Sequence, residues 1–529
     1  MQLMPKRYAS RRSPVMAANV ISTSHPLASQ AGLSMIARGG NAVDAALAAA
    51  IALTVVEPTG NGLGSDAFCI VSDGTALHGL NASGRSPAGW TPERFARFSI
   101  MPERGFESVT VPGAVAAWID LSRRFGSLPF AELFSPAVDY AEQGFFVTPM
   151  IGELWRRGAA TLKDYPGFAE AFMPGGHAPR AGEKFVNKPL AQSLRLIAET
   201  EGKAFYEGDL AERIAAFAAA HGACLSVEDL AMHRNDWCGT IGQPFGGSAL
   251  HEIPPNGQGI AALMALGILR NLGIEELDPD GGEAIHLQIE AIKLALADLD
   301  RHVADPEYMG MTERDLLEPD YLSRRARLID RGRAQIFGAG APVHGGTVCL
   351  SVGDSRGMMV SFIQSNYSGF GSGIVVPGTG ISLQNRGFGF SLENGHPNRV
   401  GGAKRPLHTI IPGFISRNGQ DDTAFGIMGG PMQAQGHVQV FLRMQVWGQD
   451  PQTAADAPRW RFVKDNTTAL EDGISPEAGE VLQAKGHMIL RESPEEVFGF
   501  GGAQIVKRLE GGGYCAGSDP RKDGQAVGL

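Results

Sequence analysis

Hydrophobic and polar positions follow helical spacing over much of this chain. Apolar residues recur every three or four positions between residues 281 and 306, which predicts one long helix with a single buried stripe: Ile285, Ile289, Ile292, Leu296, Leu299 and Val303. The run Ala45–Val56 is almost entirely apolar, which predicts a buried helix that is too short to cross a bilayer. Residues 311–333 are more charged, and we expect a helix there too.

Glycines and capping residues divide the first helical segments. A helix that begins at His25-Pro26 is expected to end at Gly39-Gly40. Asn41 is expected to cap the next helix, with Asp44 three positions later as a partial capping box. The Gly-rich turn at 60–64 then enters a strand-like segment. A dinucleotide-binding loop follows a strand and precedes a helix, so the reversed order excludes that function here.

From Thr347 onward the pattern becomes that of strands. Thr347–Val352 and Met358–Gln364 alternate around a turn at 354–357, which predicts a β-hairpin. Ser355 in this turn has the spacing of a nucleophile elbow, but an elbow serine precedes a helix, so we expect an ordinary turn. Helices dominate the first two-thirds of the chain, and the hairpin therefore indicates a mixed sheet flanked by helices.

Composition excludes several classes of function. A net charge of −10 argues against nucleic acid and anionic membrane surfaces as partners. The five cysteines form no C-x-x-C, no H-E-x-x-H occurs, and the 13 histidines show no metal-ligand spacing, so we expect no metal and no cofactor. The basic N-terminal segment lacks the apolar core of a signal peptide, and we expect a cytoplasmic location.

The junction before the first strand of the hairpin is a candidate cleavage site. A Gly/Ala/Pro-rich stretch, residues 334–346, leads directly into Thr347. After a cut between Gly346 and Thr347, this threonine carries both a hydroxyl and a free amine, a nucleophile and a base on one residue. Gly345 and Gly346 permit the strained backbone that attack by Thr347 Oγ on the preceding carbonyl requires. Further on, the backbone N–H groups of Met432 and Gln433 are candidate oxyanion donors in a tight turn.

Ordered motifs over almost the whole chain resemble the γ-glutamyltransferase superfamily of N-terminal-nucleophile hydrolases. They are Ser24–Gly32, Gly39–Ala46, Val109–Val115, Glu290–Ala295 with Asp305-Pro306, and Gly517–Arg521. The resemblance implies an α+β fold, a four-layer αββα sandwich, formed by a zymogen that cleaves itself. It further implies a large subunit of residues 1–346 and a small subunit of 347–529 that begins with the nucleophile Thr347. The two would form a heterodimer, with a dimer of heterodimers as a further option.

The substrate-gripping positions implied by the resemblance differ from the γ-glutamyl pattern. Segment 384–390 contains no Asp or Glu, although the family holds the substrate ammonium there with an acidic residue. Ser365 is placed to support Thr347 by hydrogen bonding. The candidate substrate-binding residues are Arg85 as the carboxylate anchor, Tyr367 in place of an amide, and His408 and Thr409 in place of a pair of serines.

These departures predict an unusual substrate. A desolvated ammonium without a counter-charge is costly, so we expect a small amide that carries a carboxylate but no α-amine. Glutaryl-type amides and oxamate fit, and oxamate hydrolysis in the γ-glutamyltransferase-like branch is the narrowest expectation. Two alternatives stay open: a true γ-glutamyltransferase or glutathione hydrolase, and an unprocessed, non-catalytic binding protein.

Overall fold

A computed structural model of the uncut chain describes residues 12–337, 346–493 and 499–529. Gly345 and the basic N-terminal segment, named above, lie outside the described residues. The strands are β1 (Val15–Ala17), β2 (Val20–Thr23), β3 (Asp66–Ser72), β4 (Leu77–Ala82), β5 (Phe145–Phe146), β6 (Lys184–Phe185), β7 (Asp236–Trp237), β8 (Ile241–Phe245), β9 (Ser248–Glu252), β10 (Gly346–Gly353), β11 (Met359–Tyr367), β12 (Val375–Val376), β13 (Ile381–Ser382), β14 (Pro412–Arg417), β15 (Gln420–Met428), β16 (Trp460–Lys464), β17 (Thr467–Glu471), β18 (Met488–Glu492), β19 (Gly502–Arg508), β20 (Tyr514–Ser518) and β21 (Gln525–Gly528).

The helices lie between and after these strands along the described chain. They are α1 (Pro26–Ala37), α2 (Ala42–Val56), α3 (Pro92–Phe95), α4 (Ala114–Phe125), α5 (Ser135–Gln143), α6 (Pro149–Leu162), α7 (Phe168–Phe172), α8 (Lys188–Glu199), α9 (Lys203–Tyr206), α10 (Asp209–Ala220), α11 (Val227–Ala231), α12 (Gly259–Leu269), α13 (Gly282–His302), α14 (Glu313–Leu316), α15 (Pro319–Ala326), α16 (Met432–Phe441), α17 (Pro451–Asp456) and α18 (Pro476–Ala484). None of the helices in the described ranges is long and apolar enough to span a membrane.

Two seven-stranded antiparallel sheets form the centre of the fold. Sheet 1 has the order β21-β2-β10-β11-β3-β4-β7, and sheet 2 has the order β1-β20-β19-β15-β14-β9-β8. Their inner faces pack on each other through buried apolar side chains, among them Phe68, Ile363, Phe414 and Met428. Helices such as α1 and α2 cover the outer face of sheet 1, and α12, α13 and α16 cover that of sheet 2. The predicted four-layer αββα sandwich of the α+β class is confirmed.

Most of the predicted elements are present. The long helix is α13, and the β-hairpin is β10–β11, with Gly353 opposite Met359. Ser355 lies in its turn, as expected. Asn41 and Asp44 form a complete capping box at α2, because each side chain accepts the other residue's backbone N–H.

The prediction that residues 311–333 are helical is confirmed for only part of the segment. The structure has two short helices, α14 and α15, separated at Glu318-Pro319. A residue before proline avoids the helical conformation, whereas proline itself is well suited to the first turn of a new helix. Pro319 therefore marks a break between helices that the charged composition of this region does not indicate.

Candidate active site

Thr347 lies at an irregularity near the start of β10, a strand inside sheet 1. The ladder between β10 and β11 pairs Gly346 with Tyr367 and Val348 with Gln364, so the register shifts at Thr347. Such β-bulges re-aim a side chain and are frequent beside active sites. Thr347 is 1 % exposed, and its Oγ1 lies 3.0 Å from the Oγ of Ser365. The structure thus brings together the two residues that the sequence predicted to act as a pair.

The absence of a side chain at Gly60 leaves space for the Thr347 backbone. A Cβ at Gly60 would lie 3.3 Å from the Thr347 carbonyl oxygen and 3.2 Å from Val348 Cγ1, which is tighter than ordinary packing. The Gly60 carbonyl accepts the N–H of Asn366 from β11. The Gly-rich turn at 60–64 is therefore a wall of the nucleophile region rather than a phosphate-binding loop.

Tyr367 connects the nucleophile pair to a buried arginine. Its backbone N–H donates to Ser365 Oγ at 2.8 Å, and its φ of 76° lies in the left-handed region that a bulky residue rarely adopts. The Arg386 guanidinium lies 4.1 Å from the centre of the Tyr367 ring. Arg386 Nη1 donates to Thr409 Oγ1 at 2.7 Å. Tyr367, Arg386 and Thr409 thus form one contact chain, in which Arg386 touches two of the predicted substrate-binding residues.

His408 faces Asp66, the first residue of β3. Ile410 N–H donates to His408 Nδ1, so His408 Nε2 carries the proton and donates to Asp66 Oδ2 at 3.0 Å. Burial holds the pKa of His408 well below its ordinary value, and the imidazole stays neutral. Burial also raises the pKa of Asp66 to about 7, although the Arg386 charge and backbone N–H groups oppose that shift. Asp66 is therefore a buried carboxyl that titrates near neutral pH.

A cavity of about 330 Å³ reaches this region from outside. Tyr367, Thr409 and Gln258 are among its lining residues, and they are buried. Asp300 and Glu393 also line it, and both are exposed. The cavity therefore has acidic groups exposed to solvent and a buried end next to the Arg386 contact chain.

The turn at 429–433 lies close to Thr409. Gln258 Nε2 donates to the carbonyls of Thr409 and Gly430, at 2.5 and 2.8 Å. The N–H groups of Met432 and Gln433 donate to the carbonyls of Gly429 and Gly430, at 3.2 and 3.1 Å. In the uncut chain both predicted oxyanion donors are thus committed to the turn, and the oxyanion role stays a prediction.

Arg85 lines a different cavity. Its neighbours there include Met232 and His233, and its carbonyl accepts the N–H of Val111. Arg85 is not among the residues lining the cavity of Tyr367 and Thr409. The structure therefore does not join Arg85 to the other predicted substrate-binding residues.

One cluster has the composition of a metal site. His286, Glu290 and His487 are buried, and their ligand atoms lie within 4.8 Å of one another. Glu290 Oε1 accepts from Lys293 Nζ at 2.7 Å, however, and its Oε2 accepts from the Gln335 N–H at 3.0 Å. An ammonium already neutralises this carboxylate, which accounts for the cluster as an ion-pair network. The absence of a metal stays a prediction.

Sequence reasoning missed Arg386, Asp66 and Gln258. Arg386 is the one charged residue of segment 384–390, among two amides, two glycines and two phenylalanines, and that lone charge was itself a signal. Asp66 opens an apolar strand, where a charged side chain also marks a buried polar role. The sequence around Gln258 carries no comparable signal.

Comparisons with known proteins support this architecture. The chain is 43% identical to a cephalosporin acylase from Bacillus halodurans of known crystal structure, over 100% of this chain and 99% of that one, with a TM-score of 0.95. It is 35% identical to the glutathione hydrolase-like YwrD proenzyme of Bacillus subtilis, over 98% of this chain and 100% of that protein. It is also 35% identical to the oxamate amidohydrolase proenzyme of Klebsiella pneumoniae, over 95% of this chain and 97% of that protein.

The sandwich and its structural match define an N-terminal-nucleophile hydrolase. The profile of the gamma-glutamyltranspeptidase family matches residues 28–529. The chain belongs to the gamma-glutamyltranspeptidase family, and it is a hydrolytic enzyme of the kind whose relatives are made as proenzymes.

Proposed function

We propose that this chain is the proenzyme of an N-terminal-threonine amidohydrolase and that it cleaves itself between Gly346 and Thr347. The observation that carries the proposal is the 3.0 Å approach of Thr347 Oγ1 to Ser365 Oγ at the β-bulge where Ser365 and Asn366 of β11 lie opposite Thr347. The proenzyme names of the relatives support it. Residues 1–346 would form the large subunit and 347–529 the small one.

The released amine of Thr347 would serve as the base. An α-amine has an ordinary pKa of about 7.7–8.0, so much of it is neutral at slightly alkaline pH. It takes the proton from the Thr347 hydroxyl while Oγ1 attacks the amide carbon, and it returns that proton to the leaving nitrogen. An ester with Thr347 results, and water attacks it to release the acid. Ser365 orients Oγ1, and the turn at 429–433, with Met432 and Gln433, would supply the oxyanion donors.

The proposed substrate is a small amide whose acyl part bears a carboxylate, such as a glutaryl-type amide or oxamate. The buried end of the cavity is formed by neutral and basic groups, with Tyr367 and Thr409 lining it and Arg386 touching both. His408 is hydrogen-bonded to Asp66 and stays neutral, so it would shape the site without adding charge to it. Arg85 keeps its proposed anchoring role only if the chain rearranges after cleavage.

A γ-glutamyl donor is the second candidate. Asp300 and Glu393 line the cavity and offer carboxylates that could pair with an α-ammonium. Both are exposed to solvent, where an ion pair contributes little. We therefore rank the γ-glutamyl donor below the substrate without an amine.

Paired chromogenic anilides separate the two candidates. We expect kcat/KM for glutaryl-4-nitroanilide to exceed that for γ-L-glutamyl-4-nitroanilide by about tenfold or more, because desolvating an ammonium is costly. Oxamate is assayed in parallel by ammonia release. Thr347→Ala should abolish all turnover, and Thr161→Ala, at an exposed threonine of α6, should leave it unchanged. A clear preference for the γ-glutamyl anilide would establish the second candidate.

A further inference from the structure

Arg386 has two charged donors that nothing in the described chain uses. The side chain is 0 % exposed, and one of its terminal nitrogens, Nη1, donates to Thr409. Nε and Nη2 are buried and have no hydrogen-bond partner among the described residues. A buried donor without an acceptor is costly, and a charged one more so. Two adjacent buried donors of this kind are suited to bind an acceptor that is not part of the described chain.

Other arginines of this protein show what fits that edge of a guanidinium. Nε and Nη2 point the same way and bind the two oxygens of one carboxylate. Arg94 binds Glu107 through these atoms, at 3.0 and 3.0 Å. Arg156 binds Glu153 likewise, at 2.8 and 2.7 Å. In Arg386 the same edge is empty.

Within the described ranges, no carboxylate is hydrogen-bonded to this edge. Asp66 is the acidic group whose charge acts on Arg386, but its oxygens already accept from His408 Nε2 and from the N–H groups of Gly84 and Gly113. Burial lowers the pKa of Arg386 to about 10, so the guanidinium is still charged at neutral pH. The remaining acceptor would therefore come from outside the protein.

Arg386 contacts residues that belong both to the cavity and to the surroundings of Thr347. Both residues that Arg386 contacts, Tyr367 and Thr409, line the cavity. Tyr367 is also bonded through its N–H to Ser365 Oγ, which lies 3.0 Å from Thr347 Oγ1. Since Nε and Nη2 are buried in the uncut chain, a ligand reaches them only when the surrounding side chains shift.

We propose that the Nε–Nη2 edge of Arg386 binds the carboxylate of the substrate's acyl group and so selects amides whose acyl part ends in a carboxylate. The proposal rests on the proposed function, because it assigns the anchor of the same site. It places the anchor in segment 384–390, where the family resemblance implies an acidic residue, and not at Arg85.

Calorimetry on the processed enzyme tests this assignment. The probes are oxalate, succinate and glutarate, each compared with its uncharged diamide. Wild type should bind at least one dicarboxylate more tightly than its diamide. Arg386→Lys keeps a positive charge but loses the two-pronged edge, so affinity for that dicarboxylate should fall about 10- to 100-fold while the diamide is unaffected. Arg156→Lys, the same change at an exposed arginine of α6 whose Nε and Nη2 bind Glu153, should bind like wild type.

Three results would overturn the assignment: no dicarboxylate binds to wild type, Arg386→Lys binds it as well as wild type, or the variant loses dicarboxylate and diamide equally. A denaturing gel run first shows whether wild type is cleaved, so failure of the proposed processing is recognised separately. If Arg386→Lys does not fold, a crystal structure of wild type with the tightest dicarboxylate decides. The carboxylate must then lie within hydrogen-bond distance of Nε and Nη2, and binding elsewhere contradicts the proposal.

Discussion

Asp66 and Arg386 place opposite charges in one buried region, and the charge on Asp66 changes near neutral pH. Burial raises the pKa of the Asp66 carboxyl to about 7, while the pKa of Arg386 remains near 10. Above pH 7 the ionised Asp66 carboxylate partly offsets the positive charge of Arg386. Below pH 7 Asp66 is protonated and no longer offsets that charge. An anionic ligand should therefore bind more tightly when Asp66 is protonated.

The pH dependence of dicarboxylate binding tests this coupling. Affinity should be level below about pH 7 and fall above it by up to about tenfold per pH unit, because ligand binding then requires proton uptake by Asp66. Asp66→Asn mimics the protonated form, so its affinity should fall much less than that of wild type as the pH rises. The measurement is calorimetry from pH 6 to 9.

Other titratable groups near Asp66 do not account for the same pH dependence of affinity. His408 stays neutral throughout, and burial raises the pKa of Tyr206 far above the range. The amine that the proposed cleavage would release on Thr347 has an ordinary pKa in this range, but its effect would be common to wild type and Asp66→Asn, so the difference between the two profiles reports Asp66. Asp139→Asn, at an exposed position of α5, is the matched control and should behave like wild type. An unchanged pH profile in Asp66→Asn would contradict the coupling.

The candidate site was only partly predictable from the sequence. Thr347 and Ser365 were identified together because family motifs fix their order along the chain, and the structure joins them. Arg386 was missed because its importance comes from burial and from unused donors, neither of which a linear sequence shows. Arg85 was favoured because it is an arginine in a recognisable motif, but the fold places it in another cavity.

At the level of elements, the entry into β10 determines where Thr347 points. The bulge removes Thr347 from the regular ladder, and the turn at 60–64 packs against its carbonyl. Capping and hairpin signals are local, so α2 and the β10–β11 hairpin were predictable from short segments. The bulge depends on how β10 meets β11 and a distant turn, and local sequence does not encode that contact.

Gly60→Ala tests whether this packing aligns the junction. The new Cβ would lie 3.3 Å from the Thr347 carbonyl oxygen and 3.2 Å from Val348, so β10 must shift by a few tenths of an ångström. We expect self-cleavage to slow by about tenfold, since small misplacements of reacting groups are costly. Chain made in a cell-free system and sampled on denaturing gels gives the rate.

Gly310→Ala is the control for that experiment. A Cβ at Gly310 meets nothing within 4 Å, so its cleavage rate should equal that of wild type. Equal rates for Gly60→Ala and wild type would show that the turn does not align the junction.

On the scale of the whole molecule, both sheets combine strands from the two sides of the junction. β10 pairs with β2, β11 with β3, and β14 with β9. A buried ion pair between Glu57 and Lys522, at 2.9 Å, also crosses the division. Cleavage between Gly346 and Thr347 would therefore leave two fragments that share one core and cannot separate without unfolding.

Mass spectrometry of the purified protein, under denaturing and then native conditions, tests the central claim most directly. The denatured sample should contain two polypeptides, residues 1–346 and 347–529, the second beginning with Thr347, and the native sample should contain both in one complex. Thr347→Ala should give a single uncut chain, whereas Thr347→Ser, which keeps a hydroxyl, should still be cut. A wild-type protein that remains one full-length chain, indistinguishable from Thr347→Ala, would contradict the account and favour a non-catalytic binding protein.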